Sequence, residues 1–214
     1  MSNPSTGDRW VLKAVLEGLT FALLAGLLAA ALGPILADRL AEATREPTCS
    51  DPRELSRALP VNSRASSALP DETTKDGREL HYGAPSASDG DTGTAWVEGA
   101  SGLGQGEWIE FEFSPGVEIT LICIVNGYAL TWDLYQQNSR IRGLQVSNDT
   151  NLKTVAALGD VASSEHTAVF QDVPLDKFPS SQTLRLTITS VYAASGRQRF
   201  DDTSLSEIEF WSSA

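Results

Sequence analysis

From about Tyr82 to the C-terminus the chain is written in short period-2 segments divided by turns, and few folds accept that grammar. The clearest segment is Trp108 to Phe113. There Ile109, Phe111 and Phe113 alternate with Trp108, Glu110 and Glu112, as in a strand with one buried face. Leu144 and Val146 alternate with Gln145 and Ser147; Leu184, Leu186 and Ile188 alternate with Arg185, Thr187 and Thr189; Ile208 and Phe210 alternate with Glu207, Glu209 and Trp211. Ile119 to Val125 is apolar on both faces, the pattern of a central strand covered on each side. Val155 to Leu158 and Val169 to Val173 add two short strands around the polar turn Gly159 to Thr167. With no long amphipathic helix among them, the segments predict an all-β sandwich or jelly roll over residues 76–214.

The N-terminal part follows a different rule. Gly18 to Ala37 is a run of 20 residues without a charge. A helix rises about 1.5 Å per residue, so about 20 residues cross a hydrocarbon core of roughly 30 Å. The expectation is one transmembrane helix over 15–37 behind a short polar tail, 1–14. A cleaved signal peptide is the competing reading, because Ala41-Glu42-Ala43 offers small residues for cleavage, but the apolar run exceeds the roughly 7–15 residues of a signal core. Arg9 and Lys13 before the run balance Arg39 and Arg45 after it, so flanking charge does not set the orientation. Residues 38–75 carry Pro47, Pro52, Pro60 and Pro70, mixed charges and no sustained period, and are expected to be a flexible linker.

Charge narrows the partners. Residues 1–58 hold 6 basic and 7 acidic side chains, whereas residues 59–214 hold 10 and 21. The domain therefore carries a net charge of −11 of the chain's −12 and repels nucleic-acid phosphates. Two cysteines exclude a disulfide-dense scaffold and a cysteine zinc site of ordinary spacing. Cys123 lies in the apolar run, where a buried free thiol is expected; a bridge to Cys49 in an oxidising compartment is the alternative.

Several separated motifs share one pattern: Asp89-Gly-Asp-x-x-Thr-x-Trp96, Thr94-Ala-Trp-Val-Glu-Gly99, Gly106-Glu-Trp-Ile-Glu110, Val125-Asn-Gly-Tyr128, Asp133-Leu-Tyr-Gln-Gln-Asn-Ser-Arg140, Ser190-Val-Tyr192 and Leu205-Ser-Glu-Ile-Glu-Phe210. In this order they resemble the NADase-type glycan-binding domain, the translocation domain of bacterial NAD glycohydrolase toxins. That domain lies within the discoidin, galactose-binding-like superfamily. The resemblance covers roughly Leu59 to Ala214, and the chain has no room for the glycohydrolase itself.

The resemblance implies two sites. The first is a structural Ca2+ site, with side-chain oxygens from Asp89 and Thr94, carbonyls from Ser86 and Asp91, and a carboxylate from Glu207. Hard oxygen donors of this number suit calcium, although Asp89 and Thr94 would equally serve as Asx and Ser/Thr caps of their own turn. The second is a glycan surface on loops at one end of the sandwich. Trp132, Tyr135, Asn138 and Arg140 fall inside one loop, and Arg197 inside a second with Arg199, Asp201 and Asp202. For Trp132 and Tyr135 packing is an equal alternative, and Asn138 and Arg140 would equally pin loops by hydrogen bonds. Trp96, Trp108 and Tyr128 read as the edge of the core.

Catalysis has little support. His81 and His166 are far apart in polar turns, and no nucleophile elbow, zinc-binding helix or phosphate loop occurs. The combined expectation is a single-pass, membrane-anchored, non-catalytic glycan-binding module on the extracytoplasmic face of a bacterial cell. A protein-interaction scaffold and a secreted lectin are the alternatives.

Overall fold

A computed structural model describes residues 45–150, 152–175 and 182–213. Pro47–Ala214 forms one compact unit. The tail at 1–14 and the helix expected over 15–37 lie outside the described residues. Among the described residues no helix is long and apolar enough to cross a membrane.

The described residues of this unit form mainly strands: β1 (Ser56–Ala58), β2 (Asn62–Ala65), β3 (Glu72–Thr73), β4 (Glu79–Leu80), β5 (Trp96–Val97), β6 (Trp108–Glu112), β7 (Glu118–Asn126), β8 (Ser139–Asn148), β9 (Lys153–Ala157), β10 (Gln171–Pro174), β11 (Thr183–Tyr192) and β12 (Thr203–Ser213). An α-helix, α1 (Trp132–Gln137), precedes β8. The strands run β10-β7-β12-β8-β11-β6-β2, with β1 and β5 also on β12 and β9 on β8. Neighbours are antiparallel except β12 and β8. These two touch in parallel through Thr203↔Ser139 and Ser204↔Arg140 alone, where one layer turns into the other.

The two layers close on one core. Ile122 and Ile124 of β7 and Ile208 and Phe210 of β12 meet Ile109, Phe111, Val146, Leu184 and Leu186 from the opposite layer. Phe210 sits at the centre, with the rings of Phe111 and Phe113 at 4.8 and 4.9 Å in tilted and edge-on contact. These are the apolar positions of the period-2 segments. Burial of each such side chain is worth about 1.5–3 kcal/mol.

Two expectations need correction. The linker expected over 38–75 is fixed structure from Pro47 onward: β1 pairs with β12, β2 pairs with β6, and β3 pairs with β4 as a separate ribbon. Cys123 is no free thiol either. It is bonded to Cys49, 74 residues earlier, and Asp172 accepts a hydrogen bond from Cys49 N at 2.7 Å. Leu121, Cys123 and Val125, on the face of β7 turned away from the core, are also buried, which is why that strand is apolar on both sides.

Candidate functional site: an aromatic cleft beside an oxygen-lined loop

The loop between β7 and β8 is folded by its own side chains. Thr131 begins α1, its hydroxyl accepting from Leu134 N at 3.2 Å. Asn138 ends the helix and returns its Nδ2 to Leu134 O at 2.9 Å. Tyr135 is fully buried; its phenol donates to Asp160 Oδ1 at 2.9 Å and accepts from Val161 N at 3.0 Å. Arg140, also buried, clamps Asp160 through Nη2 at 2.7 Å and Nε at 3.2 Å, and donates from Nη1 to the carbonyls of Asn138 and Ala193. Its guanidinium lies 5.2 Å from the Tyr135 ring centroid, and Trp132 stacks on the same ring at 5.5 Å. Burial pushes the Tyr135 phenol up to about 12. Burial also lifts the Asp160 carboxyl, but the hydrogen bonds from Arg140 and Tyr135 outweigh it and hold the group below the ordinary value.

Of the five residues expected to meet ligand, then, Tyr135, Asn138 and Arg140 turn inward and hold the loop. Trp132 is half-buried against Tyr135, and Arg197 is exposed on the second loop. The two loops are nevertheless joined. Ser195 N and Gly196 N both donate to Gln136 O at 2.9 Å, and Phe200 N donates to Gln137 O at 2.8 Å.

Where they meet, a cleft of about 250 Å3 opens, lined by Tyr82, Tyr128, Leu134, Gln137, Phe200 and Asp202. Asn138 and Glu72 also border it. Tyr82 and Tyr128 form its floor within a small apolar cluster, and Phe200 stands at its rim with 37% of its surface exposed. Burial raises the Asp202 carboxyl. Aromatic walls beside planar polar groups are what a sugar ring requires, an apolar face to stack on and partners for its hydroxyls. Tyr82, Gln137 and Phe200 were not singled out from the sequence. Phe200 lay inside a marked loop; Tyr82 carried no local signal, because the fold brings it from before β5.

The Asp89 loop gathers oxygens more tightly than its own hydrogens can explain. Thr94 Oγ1 lies 3.1 Å from Ser86 O, 3.0 and 2.9 Å from the two carboxylate oxygens of Asp89, and 2.8 Å from Asp91 O. A hydroxyl has one proton, so it cannot satisfy four acceptors. Asp91 contributes its carbonyl, while its carboxylate accepts from Gly93 N at 2.8 Å. Glu207 is buried and reaches the loop through Gly90 N, 3.1 Å from Oε2; its Oε1 faces Arg57 at 3.3 Å. Burial above all, with Asp89's charge adding, pushes the Glu207 carboxyl up to about 7. An all-oxygen donor set with an excess of acceptors fits a hard cation such as calcium. The group Cys49, Cys123 and Asp172 does not, because both sulfurs are in the disulfide.

A family model described as the NAD glycohydrolase translocation F5/8 type C domain matches residues 59–211. A search of curated proteins returns no match. Among solved structures, the arabinofuranosyltransferase AftD from Mycobacteria aligns with a TM-score of 0.50 at 14% identity, covering 74% of this chain and 11% of that one. A truncated AlyQ with CBM32 and alginate lyase domains gives 0.48 at 14% identity over 73% of this chain, which spans a third (33%) of AlyQ's. The family 32 CBM from C. perfringens NanJ, in complex with galactose, gives 0.46 at 14% identity, covering 72% of this chain and 98% of that one. At such identities the likeness to AftD speaks for the fold alone.

Proposed function

We infer, from a chain that belongs to the NAD glycohydrolase translocation F5/8 type C domain family, a membrane-anchored module that binds glycan and performs no catalysis. The observation that carries this reading is the cleft of Tyr82, Tyr128 and Phe200 edged by Gln137 and Asp202. A sugar would stack on Phe200 and Tyr128 and exchange hydrogen bonds with Gln137 and the carboxylate. Tyr135, Arg140 and Asp160 position the α1 wall of that cleft without touching ligand. Calcium, held by Asp89, Thr94, Glu207 and the carbonyls of Ser86 and Asp91, would lock the neighbouring loop by neutralising its crowded oxygens.

The apolar run over 18–37 supports an N-terminal anchor. The Cys49–Cys123 bond supports an extracytoplasmic domain, since such bonds persist in oxidising compartments. Affinity for one sugar would be weak, and many copies in one membrane would supply avidity.

The test is a glycan array probed with the full-length chain in detergent micelles, with calcium and with chelator. Saturable binding to one sugar class, weakened at least tenfold by Phe200→Ala at an unchanged thermal midpoint, is the expected result. A folded protein that binds no glycan in either buffer overturns the reading.

A further inference from the structure

We propose that the sugar taken by the aromatic cleft is an amino sugar with a free ammonium group, held by the carboxylates of Glu72 and Asp202. The inference rests on the glycan reading above and narrows its ligand class.

The lining supplies acids without bases. Glu72 comes from β3 and Asp202 from the residue before β12, so the two carboxylates reach the cleft from separate elements. Among the described residues that line it there is no lysine, arginine or histidine. Neither acid has an ion-pair partner among the described residues, whereas Glu110, Asp160 and Glu207 each hold an arginine. The basic side chains of the neighbouring loops fall outside the lining. Arg78 belongs to a neighbouring recess with Asp89 and Asp91. Arg197 and Arg199 are exposed on the loop that leads to Phe200, and Arg199 Nε donates back to Gly196 O at 3.2 Å.

Two buried hydroxyls give the independent sign of a ligand. Tyr82 and Tyr128 are 8% and 7% exposed, and both line the cleft. Among the described residues neither phenol oxygen has a hydrogen-bond partner. Burial raises the Tyr82 phenol most, and Tyr128, Glu72 and Asp71 add to the rise, so Glu72 stands near the same hydroxyl. A hydroxyl taken out of water and left unpaired is costly, and a polar ligand relieves that cost.

Counting donors and acceptors decides the ligand class. An ionised carboxylate accepts at both oxygens and donates nothing, whereas a phenol or the Gln137 amide can do either. The cleft is therefore short of donors and of positive charge. An ammonium brings three N–H donors, no acceptor and the missing charge. Its hydrogen bonds to carboxylate are charge-assisted, and a cation over the Phe200 face gains a further electrostatic attraction. Burial raises the Asp202 carboxyl, and a positive group beside it offsets that effect. A uronic acid would set its own carboxylate against Glu72 and Asp202, on a domain that carries −11 of the chain's −12. An N-acetyl group turns the same nitrogen into a neutral amide, which forfeits the charge and leaves one N–H.

The test titrates the 15N-labelled full-length chain in detergent micelles with the β-1,4-linked glucosamine trimer, its N-acetylated counterpart, galactose and a galacturonic acid trimer. The Gln137 and Phe200 amides report on the cleft. The glucosamine trimer is expected to move both saturably and to bind roughly tenfold tighter than its N-acetylated counterpart, the gain of a charge-assisted hydrogen bond over a neutral one. The uronic acid trimer should move neither. Glu72→Gln and Asp202→Asn keep an acceptor oxygen, and each should shrink the preference for the free amine while leaving the thermal midpoint and the binding of the N-acetylated trimer unchanged. Equal or tighter binding of the N-acetylated trimer or of galactose at the cleft overturns the amino-sugar inference and leaves the proposed function standing. Glucosamine binding that neither variant weakens, or that leaves both amides unmoved, is attraction to the domain's net charge and overturns the inference as well. A folded protein that binds none of the four overturns both.

Discussion

Replacing Arg140 by alanine separates a loop-holding role from a ligand-binding one. The side chain is 4% exposed and forms two hydrogen bonds to Asp160 and one each to the carbonyls of Asn138 and Ala193. Removing one partner of a buried ion pair costs about 3–5 kcal/mol, because the charge left behind is uncompensated. Here the remaining partner, Asp160, is 35% exposed and regains water, so the lower end applies, about 3 kcal/mol. For a domain of this size 1 kcal/mol moves the midpoint by about 2–4 °C, giving a fall of about 6–12 °C. Asp160→Asn leaves Arg140 as the buried, unpaired charge and should cost a similar amount. The double variant should cost clearly less than the sum, since both single changes break one interaction.

The assay is thermal unfolding followed by near-ultraviolet circular dichroism, on the full-length chain in micelles. Acid adds a sign. Asp160 titrates lower in the folded state than in the unfolded chain. Its contribution is therefore complete above the ordinary aspartate value of about 3.9 and is lost as pH falls through the lower, folded value. Arg140→Ala should flatten that acid limb. If Arg140→Ala leaves the midpoint within about 2 °C, well short of the 6–12 °C fall expected above, and abolishes glycan binding, the inward-facing assignment is wrong and Arg140 meets the ligand.

The disulfide closes a loop of 74 residues in sequence separation, so the chain-entropy model assigns it about 4–4.5 kcal/mol; Cys49→Ser should lower urea-unfolding stability by up to that amount. Calcium at a hundredfold excess over its dissociation constant should stabilise the domain by about 2.7 kcal/mol in a thermal-shift assay, with reversal by chelator and loss of the effect in Thr94→Val. Gly127 has φ +76°, and a Cβ there would lie 2.7 Å from both Arg140 Cγ and Tyr135 Cε2. Gly127→Ala should therefore cost about 2–4 kcal/mol by denaturant unfolding, combining left-handed strain with overpacking.

The layers of the sandwich were legible because their strands bury one face, and burial writes a period of two into the sequence. β1 and β2 were not. Ser56-Arg57-Ala58 and Asn62-Ser63-Arg64-Ala65 hold no large apolar residue, and they join β12 and β6 by backbone pairing and by ion pairs such as Arg57 with Glu209 at 3.1 Å and Arg64 with Glu110. A sequence window sees polar residues among prolines and reports a linker. The disulfide stood only as the alternative to a free thiol for a related reason: Cys49 has no local signal, and only the topology brings it to Cys123 of β7.

The same division runs through the functional surfaces. The Asp89 loop was legible because its oxygens lie within nine residues of chain, Ser86 to Thr94, and Gly90 at φ +86° marks the tight turn they need. The proposed ligand surface was not, because composition counts donors without showing who already holds them. Tyr135 and Arg140 looked available until Asp160, from a turn twenty residues on, engaged both. Conversely Tyr82 and Phe200, separated by more than a hundred residues, become one wall only through the fold. Polar residues of the binding type therefore point to a surface only when their nearest counter-charge is also read.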